Sequence, residues 1–107
     1  MMLEVGVEKK SDDEAWVQVK GDVNIQTSPD LRKQLKPLFS QESGEIHVNL
    51  SGVTFMDSSG IATLVEGLQW ARKVNGRFVL HELQATVKDI FVLSKLDSVF
   101  EIVGLDS

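Results

Sequence analysis

The chain has no cysteine, which excludes disulfides, thiolate nucleophiles and cysteine-ligated zinc. No apolar run approaches the roughly 20 residues that a membrane-crossing helix needs. The opening Met-Met-Leu-Glu-Val lacks a basic segment followed by an apolar one, so no secretory signal is expected. Cations are scarce: 11 Lys and Arg stand against 16 Asp and Glu, a formal charge of −5. Nucleic-acid backbones and anionic membrane surfaces require clustered cations, so neither is an expected partner. Histidine is confined to His47 and His81, both in apolar, strand-like segments. A Ser-His-Asp triad would have to use one of them, and a satisfied core or sheet-surface histidine is the plainer reading. The phosphate-binding G-x-x-x-x-G-K-[ST] loop, H-E-x-x-H and the G-x-S-x-G elbow are all missing. These absences point away from an enzyme and towards a binding protein of the reducing cytoplasm, with no cofactor and no metal.

What is present fits one α/β domain over residues 1–107. Leu3, Val5 and Val7 alternate with polar residues, as do Ala15, Val17 and Val19, and the polar link between them predicts an antiparallel hairpin. Asp12, Asp13 and Glu14 read as its solvated turn rather than a metal cluster. Gly21-Asp22-Val23-Asn24 predicts a loop. A helix then starts near Thr27-Ser28-Pro29-Asp30, with Ser28 as cap if Pro29 takes the first helical position, or with Thr27 and Asp30 as a capping box. Leu31, Leu35, Leu38 and Phe39 form its stripe, and Pro37 ends or kinks it near Lys36. Residues 40–45 form a polar connection. A strand follows at residues 45–50. A second helix runs from about residue 58 to Lys73, closed by Gly76 as a left-handed cap. Phe78-Val79-Leu80 predicts a strand buried on both faces. A third helix spans residues 85–94, and Val99 to Val103 form a short strand or packed tail. The order predicts a mixed sheet of four or five strands, antiparallel at the first hairpin and parallel through crossovers afterwards, covered by amphipathic helices.

The centre of the chain is Phe55-Met56-Asp57-Ser58-Ser59-Gly60-Ile61, where strand meets helix. Asp57 or Ser58 is suited to cap the helix, because its side-chain oxygen accepts amide protons of the first turn. A serine hydroxyl left near the positive end of the dipole favours an anion or a covalent phosphate. An ordinary helix cap is the bland alternative. Glycine costs about 1 kcal/mol relative to alanine inside a helix, so Gly60 implies that a neighbouring loop or another protein packs close against it. A bulky residue there is expected to weaken partner binding more than the fold.

The run from Val48 through Ser51-Gly52 to Asp57-Ser58-Ser59-Gly60-Ile61 resembles the STAS domain, and within it the anti-sigma-factor antagonists. Gly21-Asp22 before the first helix, Asn75-Gly76, and Val87-Lys88 with Phe91 are similar as well. The resemblance implies a switch protein. Its unphosphorylated form binds an anti-sigma factor that is also a serine kinase of the GHKL ATPase type, releasing the sigma factor. Phosphorylation of Ser58 breaks that complex, and a PP2C-type phosphatase restores it. Asp22, Asn24, Thr27, Asp57, Ser58, Ser59, Gly60 and Ile61 would form the partner surface, since loops at the carboxyl ends of neighbouring strands converge there. Asn24 departs from the acid found in many relatives. Two other functions stand beside this one. One is a STAS accessory subunit that binds a transporter ATPase without a phosphate cycle, and the other is a small hydrolase using Ser58. Trp16 and Trp70 are candidate partner anchors, although the edge of a core face suits Trp70 equally. A monomer is expected from the acidic surface.

Overall fold

Period-two alternation builds the sheet and period-3.6 stripes cover it. The computed structural model describes residues 3–39 and 44–104. β1 (Glu4–Ser11) and β2 (Glu14–Val23) form the antiparallel hairpin. α1 (Ser28–Leu35) and a 3-10 turn at Lys36–Phe39 lead towards β3 (Glu45–Met56). α2 (Ser58–Lys73), β4 (Arg77–His81), α3 (Ala85–Leu93) and β5 (Glu101–Val103) complete the chain. The sheet order is β1-β2-β3-β4-β5, with every pair after the first parallel. The final apolar piece is thus a short strand rather than a packed tail. The expected connection at residues 40–45 lies mostly outside the described residues.

Ala15, Val17 and Val19 of β2, Ile46, Val48 and Leu50 of β3, and Phe78 and Leu80 of β4 share one face and one core. Leu31 and Leu35 from α1, Leu64 and Ala71 from α2, and Val87 and Phe91 from α3 pack into that same core. Each such leucine or phenylalanine stabilises the fold by about 1.5–3 kcal/mol when fully buried. All three helices therefore cover the same side of the sheet.

The other face carries Trp16, His47, Arg77, His81 and Glu101. Trp16 stacks on His47 with ring centroids 4.4 Å apart and planes 9° from parallel. His47 Nδ1 lies 2.8 Å from His81 Nε2, and His47 Nε2 lies 3.0 Å from Glu45 Oε1. A carboxylate can only accept, so in the neutral pair His47 donates to Glu45 and receives the proton of His81. Val79 is buried yet outside the main core, in register between His47 and Glu101. Its double-sided burial is completed by side chains of this face, not by helices.

Three local expectations change. Both central strands run past their expected ends. β2 continues to Val23 and β3 to Met56, with register shifts between Gln18 and Asp22. Gly21 has φ 114°, and a Cβ on Gly52 would stand 2.7 Å from Lys20 Cγ, so both glycines accommodate bulges within paired strands. Thr27, not Ser28, is the N-cap of α1, and neither expected side-chain cap forms. The Thr27 hydroxyl donates instead to the Asp22 carbonyl at 2.7 Å. At the end of α2 the left-handed residue is Asn75, with φ 56°, not Gly76. Gly76 N donates to Ala71 O and Asn75 N to Arg72 O, a Schellman closure with asparagine in the strained position. Glycine is required at 76 for space, since a Cβ there would lie 2.5 Å from Gly44 O.

Candidate functional site

The carboxyl ends of β2 and β3 deliver the candidate residues to one edge of the domain. The backbone N–H of Asp57 donates to Val23 O at 3.1 Å, and Ile25 N donates to Asp57 Oδ2 at 3.2 Å. One carboxylate thus ties the loop after β2 to the turn after β3. Its other oxygen, Oδ1, accepts from Ser59 N at 2.9 Å, from Gly60 N at 3.4 Å and from the Ser59 hydroxyl at 2.6 Å. Asp57 is therefore the N-cap of α2, which resolves the choice between Asp57 and Ser58. The Ser59 hydroxyl bond comes first among the causes that hold the Asp57 carboxyl below its ordinary value, followed among the lowering contacts by the amides of Ser59, Gly60 and Ile25.

This clamp separates the two serines. Ser59 is half-buried, its hydroxyl held by Asp57 and its carbonyl accepting from Thr63 Oγ1 at 3.0 Å. Ser58 is exposed at the first helical position, and its hydroxyl bonds no described residue. It stands at the amino-terminal end of α2, where the helix dipole favours negative charge.

The loop after β2 is organised by its own side chains. Asn24 Oδ1 accepts from Gln26 N at 2.9 Å and Thr27 N at 3.1 Å, while Asn24 N donates to Thr27 Oγ1 at 2.9 Å. Asn24 is thus a loop-former whose acceptor oxygen is turned inward, and Thr27 is buried beside it. Asp22 is half-buried at the end of β2, with Thr54 Oγ1 3.4 Å from its Oδ1.

Gly60 is buried, and the groups crowding it belong to this chain. A Cβ would meet Met56 Cγ at 2.6 Å, Val23 Cγ1 at 2.8 Å and Val23 O at 3.2 Å. The expectation that a bulky residue at 60 would chiefly disturb a partner is therefore corrected, because the close neighbour is the domain's own sheet. Ile61 is half-buried on the next position.

Two residues at this edge escaped the sequence reading. Ile25 is 75% exposed and Phe55 is 49% exposed, one beside Asp57 and the other in register with Asp22. Ile25 was visible as a lone branched residue among loop formers. Phe55 was not, because strict alternation from Val53 sends it inward, whereas Val53 and Met56 are the buried pair. The histidines stay away from Ser58. His81 is in register with Asn49, and from there to Met56 β3 covers about 23 Å at 3.3 Å per residue. No triad can form.

The chain resembles several proteins of one kind. The anti-sigma-B factor antagonist of Bacillus subtilis (strain 168) is 24% identical over 94 residues, covering 88% of this chain and 85% of that protein. The anti-sigma-B factor antagonist of Staphylococcus aureus (strain NCTC 8325 / PS 47) is 28% identical over 107 residues, covering 96% and 88%. In structure, the anti-sigma factor antagonist SpoIIAA in its unphosphorylated form superimposes with a TM-score of 0.80 at 21% identity, over 94% of this chain and 88% of that one. An anti-sigma factor antagonist from Mycobacterium paratuberculosis gives 0.82 at 23% identity, over 94% and 84%. The phosphorylated form of Bacillus SpoIIAA gives 0.73 at 20%, over 94% and 91%. A family model described as "Mlab, STAS domain" matches residues 7–104. That span holds the Asp57-Ser58-Ser59-Gly60 turn and all three helices, and the chain belongs to the STAS domain family.

Proposed function

We propose that this protein is an anti-sigma-factor antagonist switched by phosphorylation of Ser58. In its unphosphorylated form it binds an anti-sigma factor that is also a serine kinase of the GHKL ATPase type, and a PP2C-type phosphatase reverses the modification. It acts as a monomer in the cytoplasm, and no described helix is long and apolar enough to cross a membrane. The partner surface comprises Asp22, Asn24, Thr27, Asp57, Ser58, Ser59, Gly60 and Ile61, with Ile25 and Phe55 as its apolar contacts and the buried members as scaffold. One observation carries this reading: Ser58 is exposed with a free hydroxyl at the start of α2, while the adjacent Ser59 hydroxyl is bound to Asp57 at 2.6 Å.

The physical consequence of modification differs between domain and complex. A phosphate adds about −1.5 to −2 charges at pH 7. The helix dipole offsets this by about 0.3–1 kcal/mol, so the isolated fold persists. Asp57 and Asp22 oppose the added charge, but solvent screens exposed groups. In the complex the phosphate must be desolvated against a surface shaped for a hydroxyl, which costs several kcal/mol, or about a thousandfold in affinity.

Intact-mass analysis after incubation with the cognate kinase and ATP tests the proposal. Wild type and Ser59→Ala gain one phosphate and Ser58→Ala gains none. Ser58→Asp loses partner binding about a thousandfold with an unchanged melting temperature. Phosphate on Ser59, or wild-type binding by Ser58→Asp, overturns the mechanism. A second reading, a STAS subunit docking on a transporter ATPase without a phosphate cycle, is favoured by Asn24. That residue offers no carboxylate and spends its acceptor oxygen within its own loop. In that case the same surface binds and no phosphate is taken up.

A further inference from the structure

The carboxyl end of α2 forms one bank of a groove of about 790 Å³. The other bank is α1 with the 3-10 turn that follows it. Phe39, Trp70 and Val74 make the floor. Trp70 is half-buried, with its ring 5.9 Å from that of Phe39. The rim is cationic, with Arg32, Lys33 and Lys36 on one bank and Lys73 on the other. Among the described residues, Asp30 is the only carboxylate lining it. In a chain of formal charge −5, this is a local reversal of sign.

The cations do not share one role. Arg32 is engaged within the domain, its Nε donating to Glu66 Oε1 at 2.9 Å and its guanidinium 5.4 Å from the Trp70 ring centroid. Arg32 and Glu66 thus hold Trp70 in place. Lys33, Lys36 and Lys73 are exposed and have no ion-pair partner among the described residues. A solvated helix face explains scattered lysines. It does not explain three lysines, unpaired among the described residues, gathered around a tryptophan, a residue type enriched among interface anchors.

We propose that this groove docks an acidic segment of another protein. An apolar side chain of that segment packs on Trp70 and Val74, and its carboxylates meet Lys33, Lys36 and Lys73. Charge complementarity selects the partner's sign. The spread of lysines over both banks suits several carboxylates along a chain rather than a single anionic head group. Trp70 and Lys73 lie along α2 from Ser58, about 18–23 Å away at 1.5 Å per residue. Both ends can be occupied together, and docking in the groove does not depend on the phosphate.

The test uses the full chain, labelled with nitrogen-15, and a short amphipathic peptide with Glu on one face and Leu and Phe on the other. The expected result is amide shifts along α1, the 3-10 turn and the end of α2, together with the Trp70 indole. The double variant Lys36→Glu/Lys73→Glu, exposed at both positions and so expected to fold, weakens binding about tenfold or more. Ser58→Asp leaves it unchanged, and added salt weakens it. The proposal is overturned if the peptide produces no shifts at millimolar concentration, if shifts fall elsewhere, or if the lysine variant binds equally. It is also overturned if a peptide with Gln in place of Glu binds as well, or if phosphatidylglycerol vesicles occupy the groove in preference to the peptide.

Discussion

A methyl group at position 60 would stand inside the contact radius of Met56 and Val23. Gly60→Ala should therefore destabilise the fold by about 1–3 kcal/mol, the usual range for an overpacked interior, as measured by urea unfolding. Unchanged stability would show that α2 can lift away from the strand ends. Its neighbour Asp57 makes a separate prediction through pH. The carboxyl is held below its ordinary value of 3.8 in the folded protein, so its contribution is present above that value and is lost as pH falls through the folded one. Asp57→Asn keeps a capping oxygen but cannot titrate. Thermal melts below about pH 4 should show wild type losing stability relative to this variant. The cap itself was legible in the sequence, because Asp-Ser-Ser-Gly between a strand and a helix admits few arrangements. The difference between Ser58 and Ser59 was not, since it depends on which hydroxyl the Asp57 rotamer reaches.

Strand and helix interiors follow from the sequence pattern more closely than their ends do. Ala15, Val17 and Val19 announced β2 because every second residue meets the core. The ends of β2 and β3 stayed hidden, because Gly21 and Gly52 look the same in a turn and in a bulge. The closure of α2 was placed correctly but assigned to the wrong residue, since asparagine also tolerates the left-handed region. That gives a direct test. Asn75→Gly should stabilise the protein by about 0.5–1 kcal/mol by relieving the positive φ, and Asn75→Val should destabilise it, both read from urea midpoints. The uncovered face of the sheet responds to pH through His81. Burial first, and His47 second, lower the affinity of His81 for protons, against the smaller opposing effects of Glu82 and Glu101. A base with a depressed folded value contributes stability above its ordinary value of 6.5 and loses it as pH falls towards the folded one. His81→Gln retains an N–H for His47 Nδ1 and does not titrate. Its melting temperature should vary less than that of wild type between about pH 6.5 and 5.

For the whole molecule, the helices lie on one side of the sheet, and the two ends of α2 face different chemistry. The amino terminus offers a free hydroxyl, and the carboxyl terminus contributes to a cationic groove. Substitutions at sites this far apart are additive. Ser58→Asp combined with Lys36→Glu should change the melting temperature by the sum of the single effects, and calorimetry of the four proteins measures it. Fold class and strand directions were legible because periodicity and connection length dictate them. The one-sided covering was not, because Trp16 and His47 fill the exposed face densely enough to make β4 read as buried on both sides. The bond between Asp57 and Ser59 also bears on the origin of site selectivity. On the proposed function, a kinase that reaches this turn would find two adjacent serines, only one of them available without breaking a charge-assisted bond. The discrimination is then a property of the substrate rather than of the enzyme. A kinase with poor sequence preference would still mark one position, and doubly marked protein would be suppressed by the fold itself. Loss of the carboxylate, as in Asp57→Ala, would release the second hydroxyl and turn a one-state mark into an ambiguous one.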